Sequence, residues 1–104
     1  MKGVRFYVEC GEESPIGKRN TVRQIWDRAN EGWQINCVAL FTEPDRWRHN
    51  GGNIEALLAT FYYKNSDVSL GSVSRVYLQR KCKRVPEALA RKLHPRLFER
   101  LDHE

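Results

Sequence analysis

The sequence predicts an α+β domain: a small, mostly antiparallel sheet of three to four strands, one helix after the first strand, and a C-terminal helical segment broken by proline. Three patterns predict it. Val4, Phe6 and Val8 alternate with Arg5, Tyr7 and Glu9, the period of two expected of a half-buried strand. Val22, Ile25, Trp26 and Ala29 recur at helical spacing and make one apolar face. Leu89, Ala90, Leu93, Leu97 and Leu101 make a second apolar stripe, with Pro95 inside it. A chain of 104 residues has the size of one domain, so residues 1–104 are read as a single globular unit.

The elements follow in order. The first strand ends at Cys10-Gly11, and residues 11–20, with Gly11, Ser14, Pro15, Gly17 and Asn20, read as loop. Asn20 or Thr21 can cap a helix over about residues 21–31, and Gly32 is its expected stop. Trp33 to Thr42 has strand composition, and Cys37 to Phe41 is apolar on both faces, which suits a central strand. Glu43 to Asn53 reads as a long loop. Ile54 to Tyr63 fits a helix by spacing and a strand by composition; a strand is favoured, with a turn at Lys64 to Asp67 leading into Val68-Ser69-Leu70. Residues 73–85 are also divided, with helix spacing after Ser72 and strand alternation through Val76, Leu78, Arg80 and Cys82; a short helix is favoured. Pro86 suits a helix start. Pro95 cannot donate a backbone hydrogen bond and clashes with the preceding turn, so the last segment is expected to bend at His94, giving pieces at about 86–93 and 95–102.

Composition bounds the class. With 40% hydrophobic and 30% charged residues, and three Trp, four Tyr and four Phe, the chain can fill a core. No run approaches the length of a membrane span, and the first residues hold no apolar stretch of signal-peptide type. Cys10, Cys37 and Cys82 are odd in number and far apart, so reduced thiols and a cytoplasmic setting are expected.

Charge is distributed unevenly. Residues 1–70 carry nine basic and nine acidic side chains, whereas residues 71–104 carry nine basic and four acidic ones, so the whole net charge of +5 lies in the last third. A one-sided basic field steers polyanions toward a surface. The candidate nucleic-acid contacts are therefore Arg80, Lys81, Lys83 and Arg84, then Lys92, Arg96 and Arg100, whose spacing by four makes a helical ridge. Arg46, Trp47 and Arg48 join them, because a Trp between arginines can stack a base while the arginines hold phosphate. The same residues also suit plainer roles: basic side chains that cover the flanks of the leucine stripe, and a Trp that anchors its loop to the core.

Catalytic and metal chemistry is not expected. Cys10, Cys37, Cys82, His49, His94 and His103 include no CxxC, HxxxH or HExxH pair, so no metal and no cofactor is assigned. Glu12-Glu13 has no partner carboxylates, and Asn50-Gly51-Gly52-Asn53 lacks the Lys-Ser/Thr that completes a phosphate loop. Only Cys82, flanked by cations that favour a thiolate, invites a chemical role. The reading is a small binding module rather than an enzyme, with nucleic acid as the first partner. The alternative is a protein-interaction or assembly protein, a homodimer with Trp47, Tyr62 and Tyr63 as natural anchors.

Overall fold

The computed structural model describes residues 2–12, 14–42, 49–50, 53–62 and 65–103; between 49 and 70 it describes the backbone alone, Val68 excepted. The class is α+β, and the sheet is antiparallel at every described pairing. Strand β1 (Val4–Glu9) leads through a loop to helix α1 (Val22–Asn30), then to β2 (Cys37–Phe41). The short β3 (His49–Asn50), β4 (Asn53–Tyr62) and β5 (Asn65–Ser74) follow, then α2 (Arg75–Lys81) and β6 (Cys82–Val85), and the chain closes with α3 (Glu87–Leu93) and α4 (Pro95–Asp102).

Strand β1 pairs with β2 on one side and β6 on the other, and β2 pairs in turn with β4. Strand β5 lies along all ten residues of β4, so β2 and β3 share the other side of β4, opposite Ala56–Ala59 and opposite Asn53 and Ile54 respectively. The described sheet has six strands, more than the three to four expected from sequence. The expected turn at 64–67 is strand from Asn65 onward, because the β4–β5 ladder runs on to Tyr62↔Asn65. His49-Asn50, expected in a loop, is the strand β3, while residues 43–48 and 51–52 lie outside the described residues.

Local chemistry accounts for the element ends. Thr21 caps α1 in a reciprocal box: its hydroxyl accepts from the Gln24 amide while the Gln24 side chain accepts from the Thr21 amide. Gly32, at φ +96°, donates to the Ala29 carbonyl and turns the chain out of the helix in a conformation few other residues adopt. The strand expected from Trp33 begins only at Cys37, because the Ile35 amide is taken by the Leu93 carbonyl rather than by the sheet. Residues 73–85, divided between two templates, contain both. Ser74 ends β5 and caps α2 through its hydroxyl, and Cys82–Val85 returns to the sheet beside β1. The bend at His94-Pro95 stands as expected: Pro95 starts α4, and His94 lies outside helical geometry at φ −147° and ψ 77°.

The bend divides the helical layer's work. Helix α3 packs on β1 and α1, while α4 packs on β4 and β5. Together they cover one sheet face, where Phe6, Val8, Cys37, Ala39, Phe41 and Val85 meet Ile25, Ala29, Leu89, Leu93, Leu97, Phe98 and Leu101. The Phe6 and Phe98 rings are tilted, with centroids 5.0 Å apart. The opposite face holds a smaller cluster of Val38, Leu40, Val73, Leu78 and Cys82, with Tyr7 and Tyr77 packed against it. Among the described residues its cover is the seven-residue α2, which buries Leu78. Among the described residues no helix is long and apolar enough to cross a membrane.

His94 is 1% exposed beneath the bend, and burial pushes its pKa below the ordinary value of 6.5. The folded ring is therefore neutral where the unfolded ring takes up a proton, so stability is lost as pH falls through about 6.5 and below. Melting temperatures recorded from pH 7.5 to 5.5 should fall, and His94→Gln should flatten that dependence. A slope unchanged in the variant would assign it to other groups.

Candidate nucleic-acid interface

Strand parity decides which side chains reach the thinly covered face. Arg5, Tyr7 and Glu9 point there from β1, opposite in phase to the buried Phe6 and Val8. In the ladder Tyr7 stands between Val38 of β2 and Arg84 of β6, and Arg5 stands opposite Leu40. Directly opposed side chains have Cβ atoms about 5 Å apart, and Arg5 lies two residues, roughly 7 Å, from Tyr7 along the strand. Arg5 and Arg84, brought from the two ends of the sequence, thus flank one aromatic ring.

Between α2 and the sheet is an open cleft of about 470 Å³. Strand β1 contributes Arg5 and Tyr7 to it, and Leu40 and Thr42 come from β2 and just beyond. Helix α2 contributes Arg75, Leu78 and Gln79. None of these described lining residues is acidic. Arg5 also borders a second hollow of about 430 Å³ with Arg84, Pro86 and Glu87. The nearest carboxylate along β1, Glu9, accepts a hydrogen bond of 2.6 Å from the Tyr77 hydroxyl. Burial, and then that bond, push the Tyr77 pKa well above its ordinary value. It ties α2 to β1, and Lys18 ties the other side of the helix by donating from its Nζ to the Gln79 carbonyl.

The residues expected to carry the interface are divided by this fold. Arg84 is on the cleft side. Lys83, its neighbour on β6, points to the opposite side of the sheet, where its Nζ donates to the Lys18 carbonyl at 3.4 Å. Arg80 and Lys81 are exposed at the end of α2. Lys92, Arg96 and Arg100 are exposed on the helical layer, and the bend at His94 separates Lys92 from the other two. Arg100 donates to the Val68 carbonyl at 3.5 Å. Arg91 pairs with Glu87 at 3.0 Å and Asp102 at 3.6 Å and lies 4.4 Å above the Phe98 ring centroid. Arg46, Trp47 and Arg48 lie outside the described residues. The sequence reading passed over Arg5, Tyr7 and Arg75. The only signal for Arg5 and Tyr7 is the polar phase of β1, because the strand that stands beside it comes from residues 82–85, and Arg75 joins them only through the packing of α2 on the sheet.

Cys82 is not an activated thiol. It is 3% exposed, and burial pushes its pKa up to about 12. Strand alternation explains the correction: Cys82 turns into the Leu78–Tyr77 cluster while Lys83 turns to the other side. Burial also raises the pKa of Cys10 and of Cys37. In the native protein Ellman's reagent should find no fast-reacting thiol, and all three should react after guanidinium unfolding. One rapid native equivalent would contradict the buried placement. Among the described residues no group of three or more His, Cys, Asp or Glu is placed to hold a metal ion.

Comparison with protein-family models, with curated proteins and with solved structures finds no match to this chain.

Proposed function

We propose that this domain is a nucleic-acid-binding module that uses the α2 side of its sheet. The observation that supports this most is the gathering of cations around Tyr7 on one face: Arg5 and Arg75 line the cleft with it, none of whose described lining residues is acidic, and Arg84 stands opposite it in the β1–β6 ladder. Guanidinium groups grip phosphate with paired donors, and an aromatic ring offers a stacking surface to any base. Lys92, Arg96 and Arg100, on the other layer, add to the attractive field at longer range. The cytoplasmic setting expected from three buried, unpaired thiols belongs to the same reading.

The test is a titration of labelled single- and double-stranded DNA and RNA at about 20 and 150 mM salt. Binding should weaken steeply with salt, since contacts to phosphate release counterions. No binding of any of the four at low salt would overturn the proposal.

Assembly with a protein is the second reading, and Trp33 favours it. The side chain is 47% exposed, with its indole N–H donating to Glu31 at 3.2 Å. A strict monomer by sedimentation at high micromolar concentration would remove the homodimer form of this reading.

A further inference from the structure

We infer that the cleft under α2 takes one nucleotide of an unpaired strand, with its base against Tyr7, Leu40 and Leu78 and its phosphate on Arg5 and Arg75. This rests on the nucleic-acid reading and narrows it to a chemical class, a phosphorylated base.

The size fits. A volume of about 470 Å³ lies in the range of roughly 300–1,000 Å³ typical of small-ligand sites. Helix α2, which forms one wall, is about 10 Å long for seven residues at 1.5 Å each. A base inside a duplex is stacked on both faces and paired at its edge, so only its backbone could touch this rim. A base from a single strand can leave its neighbours and enter.

The chemistry is layered in the order a nucleotide requires. The floor is apolar and aromatic, where Leu40 and Leu78 belong to the smaller core cluster and Tyr7 packs against it. Stacking a base on such a ring is worth about 1–3 kcal/mol and tolerates any base. Arg5 and Arg75 stand at the walls with charge opposite to phosphate. Thr42 and Gln79 supply the neutral donors and acceptors that can meet a base edge. The walls are also held in place before any ligand arrives. Ser74 caps α2, Leu78 anchors it and Tyr77 bonds Glu9, while β1 and β2 are paired on both sides. A preformed site avoids the cost of ordering itself on binding.

The experiment compares a nucleoside 5′-monophosphate, ribose 5-phosphate and inorganic phosphate with a single-stranded oligomer and the same oligomer in duplex. Affinities and the amide shifts of Tyr7 and Thr42 are read in wild type and Gln79→Trp. Gln79 is exposed, so the indole is placed to fill the cleft without disturbing the core. The expected result is at least tenfold tighter binding of single strand than duplex, and of nucleotide than ribose phosphate. Gln79→Trp should lose tenfold or more with an unchanged unfolding midpoint. Tight polymer binding that ignores both strandedness and Gln79→Trp would overturn the cleft and leave the nucleic-acid reading standing. Ribose phosphate binding as well as the nucleotide would overturn the inward base. Saturable nucleotide binding with no binding of any polymer would support the cleft and overturn the polymer reading.

Discussion

Charge reversal at Arg5 and Arg84 together should reduce single-strand affinity by a factor on the order of 100 or more. A hydrogen bond to a charged group contributes about 1.5–3 kcal/mol, and two lost at the lower figure already amount to roughly two powers of ten. The reversed charges then repel the strand that the native residues attract. The dependence of log affinity on log salt should flatten by about 1.4, since each phosphate contact to a single strand contributes about 0.7. Both side chains are exposed, so the unfolding midpoint should barely move. The matched control is reversal of Lys92 and Arg96 on the helical layer, which removes the same charge from the other side of the molecule. Equal losses from the two pairs would mean that net charge alone drives binding and that the α2 face has no special part.

The largest effect on stability is expected at Leu97, which is 0% exposed where α4 packs over β4 and β5. Leu97→Ala removes buried methyl groups and leaves a cavity that the close-packed layer fills only in part, at a cost of about 2–5 kcal/mol. A domain of this size holds about 5–15 kcal/mol in total and shifts by about 4–8 °C per kcal/mol, so melting should fall by roughly 10–40 °C. Leu97→Met, which nearly conserves volume, should cost less than about 1.5 kcal/mol. Urea unfolding of the three proteins measures both. A loss below about 1 kcal/mol for the alanine variant would mean that α4 is only loosely seated, against its buried Leu97, Phe98 and Leu101.

Where sequence and structure agree, the information was local. The α1 stripe is four residues repeating on a helical period, closed by a cap and a glycine within reach of each other along the chain. The His94-Pro95 bend follows from one ring's missing N–H, whatever surrounds it. Strands β1 and β2 carry their burial in alternation and in a doubly apolar run. Where they part, the deciding partner was remote. Cys82–Val85 reads as helix or strand by itself, and becomes strand because β1, some eighty residues earlier, offers a free side to pair with. Asn65 to Asp67 has turn composition, yet it joins β5 because β4 continues opposite it.

The candidate site shows the same division. The excess of basic residues after position 70 is a property of the sequence, and so is the polar phase of β1. Composition therefore determined that the net positive charge lies in the last third of the chain, and periodicity determined an α+β domain with a bent C-terminal helical layer. Only the tertiary structure decided which cations stand together. Strand pairing places Arg84 beside Tyr7 and Arg5, and alternation sends Lys83 to the opposite side of the sheet. The bend carries Arg96 and Arg100 onto a different helix from Lys92. Net charge is a sum over residues and survives any arrangement of them. A cleft with arginines at its walls and a ring in its floor depends on contacts between residues distant in sequence, which no local pattern records.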